Sequence, residues 1–358
     1  MAYTTINKST DHFNTKLYTG NGASPRSITG VGFRPDLVWT KDRSDSSTQP
    51  WHDVVRGATY AIRSDSNVAS ENTPAYGYIN SFDSDGYTFQ QGSSDIGRFN
   101  DNSNLYVSWN FKAGGSAVTN NVGTLTSSVS CNNTAGISII TWTGDGSNAN
   151  VGTGFTGTET IGFATCKKLS TTSEWQTGVY DAYGSNARNF AYHLELNSTS
   201  ALSGSSPYML GTQTSGDPTK LKLGSEGYLN GVNYIAYVFK PVKGFSKIGT
   251  YTGTDGAFIY TGFKPSFILG KNSGGTYDWW IFDNKRDSFN DGANNLLLRA
   301  NDSSAEATFT YAKLDFLSNG FKIYGTDNTV NGNGATMVYM AFAEAPLVGS
   351  NNIPCTAR

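Results

Sequence analysis

Short apolar segments separated by glycine-rich turns recur along the whole chain. The clearest are Leu37-Val38-Trp39, which is entered through Gly32-Phe33-Arg34-Pro35, and the two later segments 82–89 and 105–111. Turn residues recur about every ten positions, and the chain has no amphipathic helical pattern of about ten residues. This alternation predicts an all-β protein built of antiparallel β-sandwiches of jelly-roll or lectin-like type, not a parallel α/β sheet.

The segment Gly32–Lys41 returns near the other end of the chain as Gly262–Lys271, 230 positions later. A more divergent copy lies between them at 161–167, where a Gly/Thr-rich loop replaces the Gly-Phe-x-Pro corner. Copies of one pattern inside a chain indicate duplication. We therefore expect three tandem β-sandwich domains related by internal duplication.

The spacing of the copies predicts the domain boundaries. The segment 116–135 is rich in Ser, Thr, Asn and Gly without periodicity, which is typical of a flexible or extended connector. The predicted order is an N-terminal arm at 1–13, repeat 1 at 14–115, the connector at 116–135, repeat 2 at 136–244, repeat 3 at 245–346 and a C-terminal arm at 347–358.

Composition narrows the function classes. Charged residues make up only 15 % of the chain and the formal net charge is −2, so no basic surface for nucleic acid is expected. Cys131, Cys166 and Cys355 show no CxxC spacing, and three scattered histidines show no metal-binding spacing. No cofactor, metal or membrane insertion is expected. The N-terminus shows no signal peptide, which predicts synthesis in a cytoplasm without the usual secretion signal.

One set of charged residues recurs with the repeats. Lys41, Asp53 and Arg56 return as Lys271, Asp283 and Arg286, and Lys167 and Asp181 are partial matches in repeat 2. A lysine and an aspartate held in a cleft would suit general acid–base catalysis. Catalytic sets are seldom triplicated in one chain, whereas contacts that specify a fold must be. We therefore interpret these residues as a structural charge network that ties a strand end to the following loop.

Two further patterns are candidates for binding. Asp83-Ser84-Asp85-Gly86 resembles the start of a calcium loop, but at the corresponding positions of the other repeats the carboxylates are fewer or absent while the glycine followed by an aromatic residue persists, which favours a hairpin turn. Aromatic residues in loops are candidate ligand-binding or interface side chains. These are Tyr76, Tyr78, Tyr183, Tyr277 and Trp279, whereas the aromatics at apolar strand positions, such as Trp109 and Phe239, are predicted to be core.

The motifs TGNG, ITGVGFRPDLVWTKDR, SFDSDGYTF and LYVSWNFKAGG together resemble a repeated domain of virion structural proteins from marine tailed phages, where it occurs in tail-fibre-like and other surface proteins. The resemblance covers the whole chain and is strongest in repeat 1. It implies a place on the surface of a virus particle, and it implies no reaction.

Four functions are compatible with these patterns. The first is a non-enzymatic, tail-associated protein that binds a host surface or receptor; the second is a protein that decorates the capsid. The third is a glycan-degrading tailspike enzyme, and the fourth is a cellular adhesin or lectin module. The expected partners are other virion proteins, further copies of the chain in a trimer, and a host-surface glycan or protein.

Overall fold

The chain folds into antiparallel β-sheets, so the predicted all-β class is confirmed. A computed structural model describes residues 3–180, 190, 192–204, 208–287, 290 and 295–348. Strand accounts for 46 % of the chain and helix for 4 %. Among the described residues the helical pieces are α1 (Gly97–Asn100), α2 (Asn328–Asn331) and 3₁₀ turns at Ser9–Asp11 and Ser225–Gly227. Within these ranges no helix has the length and apolar character needed to cross a membrane.

Repeat 1 forms one large and one small sheet. Its strands are β1 (Phe13–Thr19), β2 (Arg26–Thr29), β3 (Leu37–Asp42), β4 (Pro50–Asp53), β5 (Tyr60–Arg63), β6 (Glu71–Asn72), β7 (Tyr78–Asp83), β8 (Gly86–Gln90) and β9 (Leu105–Phe111). The large sheet has the order β1-β9-β3-β4-β5-β6 and the small sheet the order β2-β8-β7. An apolar cluster that includes Val38 and Phe89 packs the two sheets together.

Repeat 2 has a wider large sheet. Its strands are β10 (Val118–Asn120), β11 (Ser127–Asn132), β12 (Ile137–Thr143), β13 (Asn150–Gly152), β14 (Phe163–Lys168), β15 (Gln176–Val179), β16 (Tyr192–Glu195), β17 (Ser203–Gly204), β18 (Lys220–Lys222) and β19 (Asn233–Phe239). The large sheet has the order β10-β11-β12-β19-β14-β15-β16-β17, and β13 pairs with β18.

Repeat 3 returns to the arrangement of repeat 1. Its strands are β20 (Ser246–Thr252), β21 (Ala257–Tyr260), β22 (Phe263–Asn272), β23 (Trp280–Asp283), β24 (Asn295–Arg299), β25 (Ala307–Phe309), β26 (Lys313–Leu317), β27 (Gly320–Tyr324) and β28 (Thr336–Pro346). The large sheet has the order β20-β28-β22-β23-β24-β25 and the small sheet the order β21-β27-β26.

Strand register makes the repeats directly comparable. In each large sheet one strand, β9, β19 or β28, lies between two others: it pairs with β1, β12 or β20 on one side and with β3, β14 or β22 on the other. Phe111, Phe239 and Phe342 occupy equivalent positions on these strands, because each pairs with the first residue of β1, β12 or β20. Strands β10 and β11 have no counterpart in the large sheets of repeats 1 and 3.

The three repeats share one core. The rings of Phe111, Phe239 and Phe342 contact one another, with centroid distances of 6.0, 5.5 and 6.0 Å. The largest apolar cluster contains residues of all three large sheets. Each large sheet therefore covers the common core with one face, and aromatic pairs of this kind add to the energy of burial itself.

The apolar run of the Gly32–Lys41 segment has a direct explanation in this arrangement. Every residue of β3 is buried, because Val38 faces the small sheet of repeat 1 while Leu37 and Trp39 face the common core. A strand covered on both faces loses the apolar–polar alternation. In repeat 3 the proline of the corner, Pro265, lies in β22 at a register shift, a place where a strand tolerates its missing N–H.

Two predicted boundaries need correction. The segment 116–135 is more than a flexible or extended connector, because it contains all of β10 and β11. Its Thr and Val residues favour strands, and its lack of periodicity in the sequence concealed this. The predicted N-terminal arm, in its described part 3–13, is not free either: Ile6 is buried in the common core, and the Tyr3 hydroxyl donates to the Gly262 carbonyl at 2.8 Å. Of the predicted C-terminal arm, only 347–348 lie within the described residues.

Candidate functional site

The recurring lysines lie at the joints between repeats. Lys41 on β3 donates through Nζ to the Ser303 carbonyl of repeat 3 at 2.8 Å, and Lys167 on β14 donates to the Asn67 carbonyl of repeat 1 at 2.7 Å. Lys271 on β22 completes the cycle by donating to the Thr199 carbonyl of repeat 2 at 3.0 Å. All three are fully buried, and burial lowers the pKa of each to about 8.

Backbone hydrogen bonds follow the same cycle. The N–H of Ser70 donates to the Leu169 carbonyl at 2.9 Å, that of Leu202 to the Ser273 carbonyl at 2.8 Å, and that of Glu306 to the Arg43 carbonyl at 2.9 Å. Each of these bonds joins a different pair of repeats. Side-chain and main-chain contacts thus close a ring of three repeats around the common core.

The predicted charge network divides into two parts. Arg56 pairs with Asp53, and Arg286 with Asp283, each at 2.6 Å between Nε and Oδ2. The second carboxylate oxygen of each aspartate accepts backbone N–H groups of the turn that follows, so the pair does tie a strand end to its loop. The lysines belong elsewhere: the side-chain hydrogen bonds of Lys41 and Lys271 go to backbone carbonyls and not to these aspartates.

Each aspartate also accepts a hydrogen bond from a neighbouring repeat. The Tyr237 hydroxyl of repeat 2 donates to Asp53 at 2.8 Å, and the Trp109 indole of repeat 1 donates to Asp283 at 3.1 Å. The register places Val179 at the corresponding position of repeat 2, and Met340 of repeat 3 where Trp109 and Tyr237 stand. Between repeats 2 and 3, apolar residues therefore stand in place of both the aspartate and the side chain that donates to it. Asp181, the suggested partial match, lies outside the described residues.

The calcium-like stretch forms a hairpin turn. Asp85 accepts the backbone N–H groups of Gly30 at 2.9 Å and Gly32 at 2.6 Å, and Asp83 accepts the hydroxyls of Ser81 and Thr88. A Cβ at Gly86 would collide with the Ile28 carbonyl, and the corresponding Gly320 is closed off by the Ile259 carbonyl. Glycine recurs here because of this close approach. No cluster of metal-ligating side chains is found in the described part of the chain.

The predicted surface aromatics have different environments. Tyr76 is 50 % exposed, whereas Tyr78 and Tyr277 are half-buried. Trp279 is buried, and its indole donates to the Glu195 carbonyl of repeat 2 at 2.8 Å, so its assignment to the surface is wrong. It follows a turn in the sequence, but the indole itself is covered by repeat 2. Tyr183 lies outside the described residues.

Tyr76 lines a polar cleft of about 700 Å³ in repeat 1, hereafter the Tyr76 cleft. Arg98 lies over the Tyr76 ring at 5.4 Å and, with Arg63, is paired with Glu71. The other titratable side chains that line the cleft are Asp42, Asp45, Asp95 and Asp101. Burial and the neighbouring aspartates raise the pKa of the Asp101 carboxyl. An aromatic ring beside carboxylates and guanidinium groups can bind a polar ligand by stacking and hydrogen bonding.

A second cleft of about 560 Å³ lies between repeats 1 and 2, hereafter the inter-repeat cleft. Its floor is the polar face of β10, β11 and β12, with Thr119, Ser128 and Thr141 on adjacent strands. Its wall is the β4–β5 region of repeat 1, including Tyr60, which is 38 % exposed. Sequence reasoning missed these residues, because Tyr60 begins a strand and the hydroxyls of Thr119 and Ser128 lie in the supposed connector.

Comparison with known proteins leaves the activity open. No curated protein and no solved structure matches the chain. The chain belongs to the family defined by a domain of unknown function, DUF7483, whose model matches residues 8–346 and thus spans all three repeats.

Proposed function

We propose that the chain is a non-enzymatic structural protein of a tailed-phage virion, carried on the tail, where it binds the host surface. The support from sequence is the resemblance of its repeated motifs to virion surface proteins. The support from structure is a ring of three repeats around one core with polar clefts that open outwards.

One observation carries the non-enzymatic part of the proposal. The charged residues that recur in the chain are buried and used to hold the repeats together: Lys41 and Lys271 donate to carbonyls of neighbouring repeats, and Asp53 and Asp283 are each bound by an arginine and by a side chain of another repeat. Groups with these contacts are not free to exchange protons with a substrate. The clefts present aromatic and hydroxyl groups, and in the Tyr76 cleft also carboxylates and guanidinium groups, a lining suited to binding.

We propose further that the three pairs of sheets are β-sandwich units that arose by duplication and remained joined through a common core. A ring closed in this way has no repeat that can move independently of the others. Such rigidity suits a part that must survive outside a cell.

Localisation on purified particles tests the proposal. Gold-labelled antibodies against the chain, combined with electron cryomicroscopy, should place it on the tail. Density on the icosahedral shell would instead establish the capsid-decorating alternative, and absence of the chain from purified particles would refute both.

Two assays address the remaining features. Incubation of the purified protein with host-surface glycans should release no reducing ends; reproducible release would identify the tailspike-enzyme alternative. We propose in addition that the chain self-associates as a trimer, which light scattering should detect, whereas a mass of 38.4 kDa would correspond to a single chain.

A further inference from the structure

We propose that the inter-repeat cleft is a binding site for a neutral saccharide, such as a pyranose unit within a host-surface glycan. The proposal deepens the function given above by assigning a ligand class to one cleft. It depends on that function only for the source of the glycan, since the chemistry of the cleft is independent of where the protein is carried.

The floor of the cleft presents a row of hydroxyl groups. Thr119 pairs with Ser128, and Ser128 with Thr141, so the three side chains stand side by side on one face of three adjacent strands. Neighbouring strands are about 4.8 Å apart, which places successive hydroxyls within reach of different oxygens of one sugar ring. Among the hydrogen bonds of the described residues, none involves these three hydroxyls, so they are available to a ligand.

The floor continues on β12 and β19. Thr143 pairs with Asn233, and the Thr143 hydroxyl donates to the Asn233 amide oxygen at 2.7 Å. That bond orients the amide and leaves its NH₂ group as a donor. Hydroxyls that both donate and accept, beside an oriented amide, match the mixed donors and acceptors of a sugar.

The wall supplies an aromatic surface. Tyr60, which is 38 % exposed, lines the cleft from repeat 1 together with Val55, and Leu169 adds apolar surface from repeat 2. The apolar C–H face of a pyranose can pack on such a ring while its hydroxyls face the floor, because one side of the cleft is apolar and the other polar. The volume of about 560 Å³ lies within the range of small-molecule sites and has room for a short oligosaccharide.

Charge argues for a neutral ligand. Among the described residues that line the cleft, Arg56 is the charged one; its side chain is 4 % exposed and paired with Asp53. A carboxylated or sulfated sugar would find no exposed counter-charge here, and a cationic ligand would find no carboxylate. The Tyr76 cleft, with its four aspartates and two arginines, differs in this respect.

The cleft is also specific to one joint. Its floor depends on β10 and β11, the two strands that the large sheets of repeats 1 and 3 do not have. These two strands extend the large sheet of repeat 2 beyond β12, and they carry Thr119 and Ser128 of the hydroxyl row. Residues added to one copy of a repeated fold are the place where a function distinct from the common framework is expected.

The test begins with the full chain on an array of neutral and acidic glycans, followed by titration calorimetry with the neutral glycan that binds. Tyr60→Ala and Thr141→Val should each weaken binding about tenfold, the size expected when a stacking surface or one hydrogen bond is lost. The matched controls are Tyr311→Ala, which removes an aromatic residue that is 77 % exposed outside the cleft, and Thr250→Val, which changes the position in repeat 3 that corresponds to Thr141. Both controls should bind as the unmodified chain does.

Circular dichroism of each variant separates lost binding from lost folding, and saturation-transfer NMR shows whether the bound sugar still contacts an aromatic ring after Tyr60→Ala. Binding of acidic glycans alone, no binding of any neutral glycan, or equal loss in the folded controls would overturn the inference. Particle localisation is a separate result. A chain that binds neutral glycans but is absent from virions would refute the proposed function alone, and one found on tails without this binding would refute the inference alone.

Discussion

Replacement of Asp53 by alanine tests the joint between repeats 1 and 2. The carboxylate of Asp53 is fully buried and accepts four hydrogen bonds: from the Arg56 side chain at 2.6 Å, from the Tyr237 hydroxyl at 2.8 Å, and from the backbone N–H groups of Arg56 and Val55 at 2.9 and 3.0 Å. Asp53→Ala removes both acceptor oxygens and thereby breaks all four hydrogen bonds. The guanidinium of Arg56, whose side chain is 4 % exposed, remains in the interior without its counter-charge.

The expected loss in the free energy of unfolding follows from the burial of the ion pair. Removal of one partner of a buried ion pair costs about 3–5 kcal/mol, and each buried donor left unpaired costs about 1–3 kcal/mol. Because these groups share one acceptor, the terms do not add, and we expect a loss of at least about 3 kcal/mol in the free energy of unfolding. That is a large part of the roughly 5–15 kcal/mol by which proteins are stable.

Guanidinium unfolding followed by tryptophan fluorescence measures the change. The control is Asp11→Ala, which removes an ion pair with Lys8 whose side chains are 68 % and 48 % exposed, and should change stability by less than about 1 kcal/mol. Asp53→Val combined with Arg56→Met leaves no unpaired charge and should be more stable than Asp53→Val alone. A loss below about 1 kcal/mol for Asp53→Ala would refute the view that this pair holds the joint.

Three further outcomes are expected. Phe239→Ala opens a cavity in the common core and should cost about 3–5 kcal/mol in the same unfolding assay, whereas Phe258→Ala at a 49 % exposed position should cost less than about 1 kcal/mol; equal losses would contradict the shared core. The fragment 245–346 should show no cooperative unfolding transition, because its face of the core would be exposed; a sharp transition would show that repeat 3 folds alone. Burial lowers the pKa of His52 to about 3, from an unfolded value of about 6.5. The unfolded chain therefore binds a proton that the folded chain does not, and stability should fall by about 1–2 kcal/mol from pH 6.5 to pH 5. His52→Phe, which introduces the residue found at the matching position 282, should remove this part of the pH dependence, and an unchanged slope would contradict the assignment.

The sequence predicted local structure but not the contacts between repeats. The copies of the Gly32–Lys41 pattern, the turn at Gly86 and the strand ends at Asp53 and Asp283 were all visible, because each depends on residues close together in the chain. Trp279 was misplaced and Tyr60 was overlooked, because their surroundings are supplied by a different repeat. The strands β10 and β11 were missed because a strand whose one face is polar and open to a cleft lacks the usual apolar signal.

The sequence by itself determined that the protein is β-rich, that its pattern is repeated, and where a hairpin turn such as that at Gly86 lies, since strand propensity and turn chemistry act over a few residues. The tertiary structure decided that the repeats surround one core, that Lys41 is bound by a carbonyl 262 residues away, and that a supposed connector becomes the floor of a cleft. These features rest on contacts between distant segments, and the sequence alone does not specify which apolar sheet faces pack together.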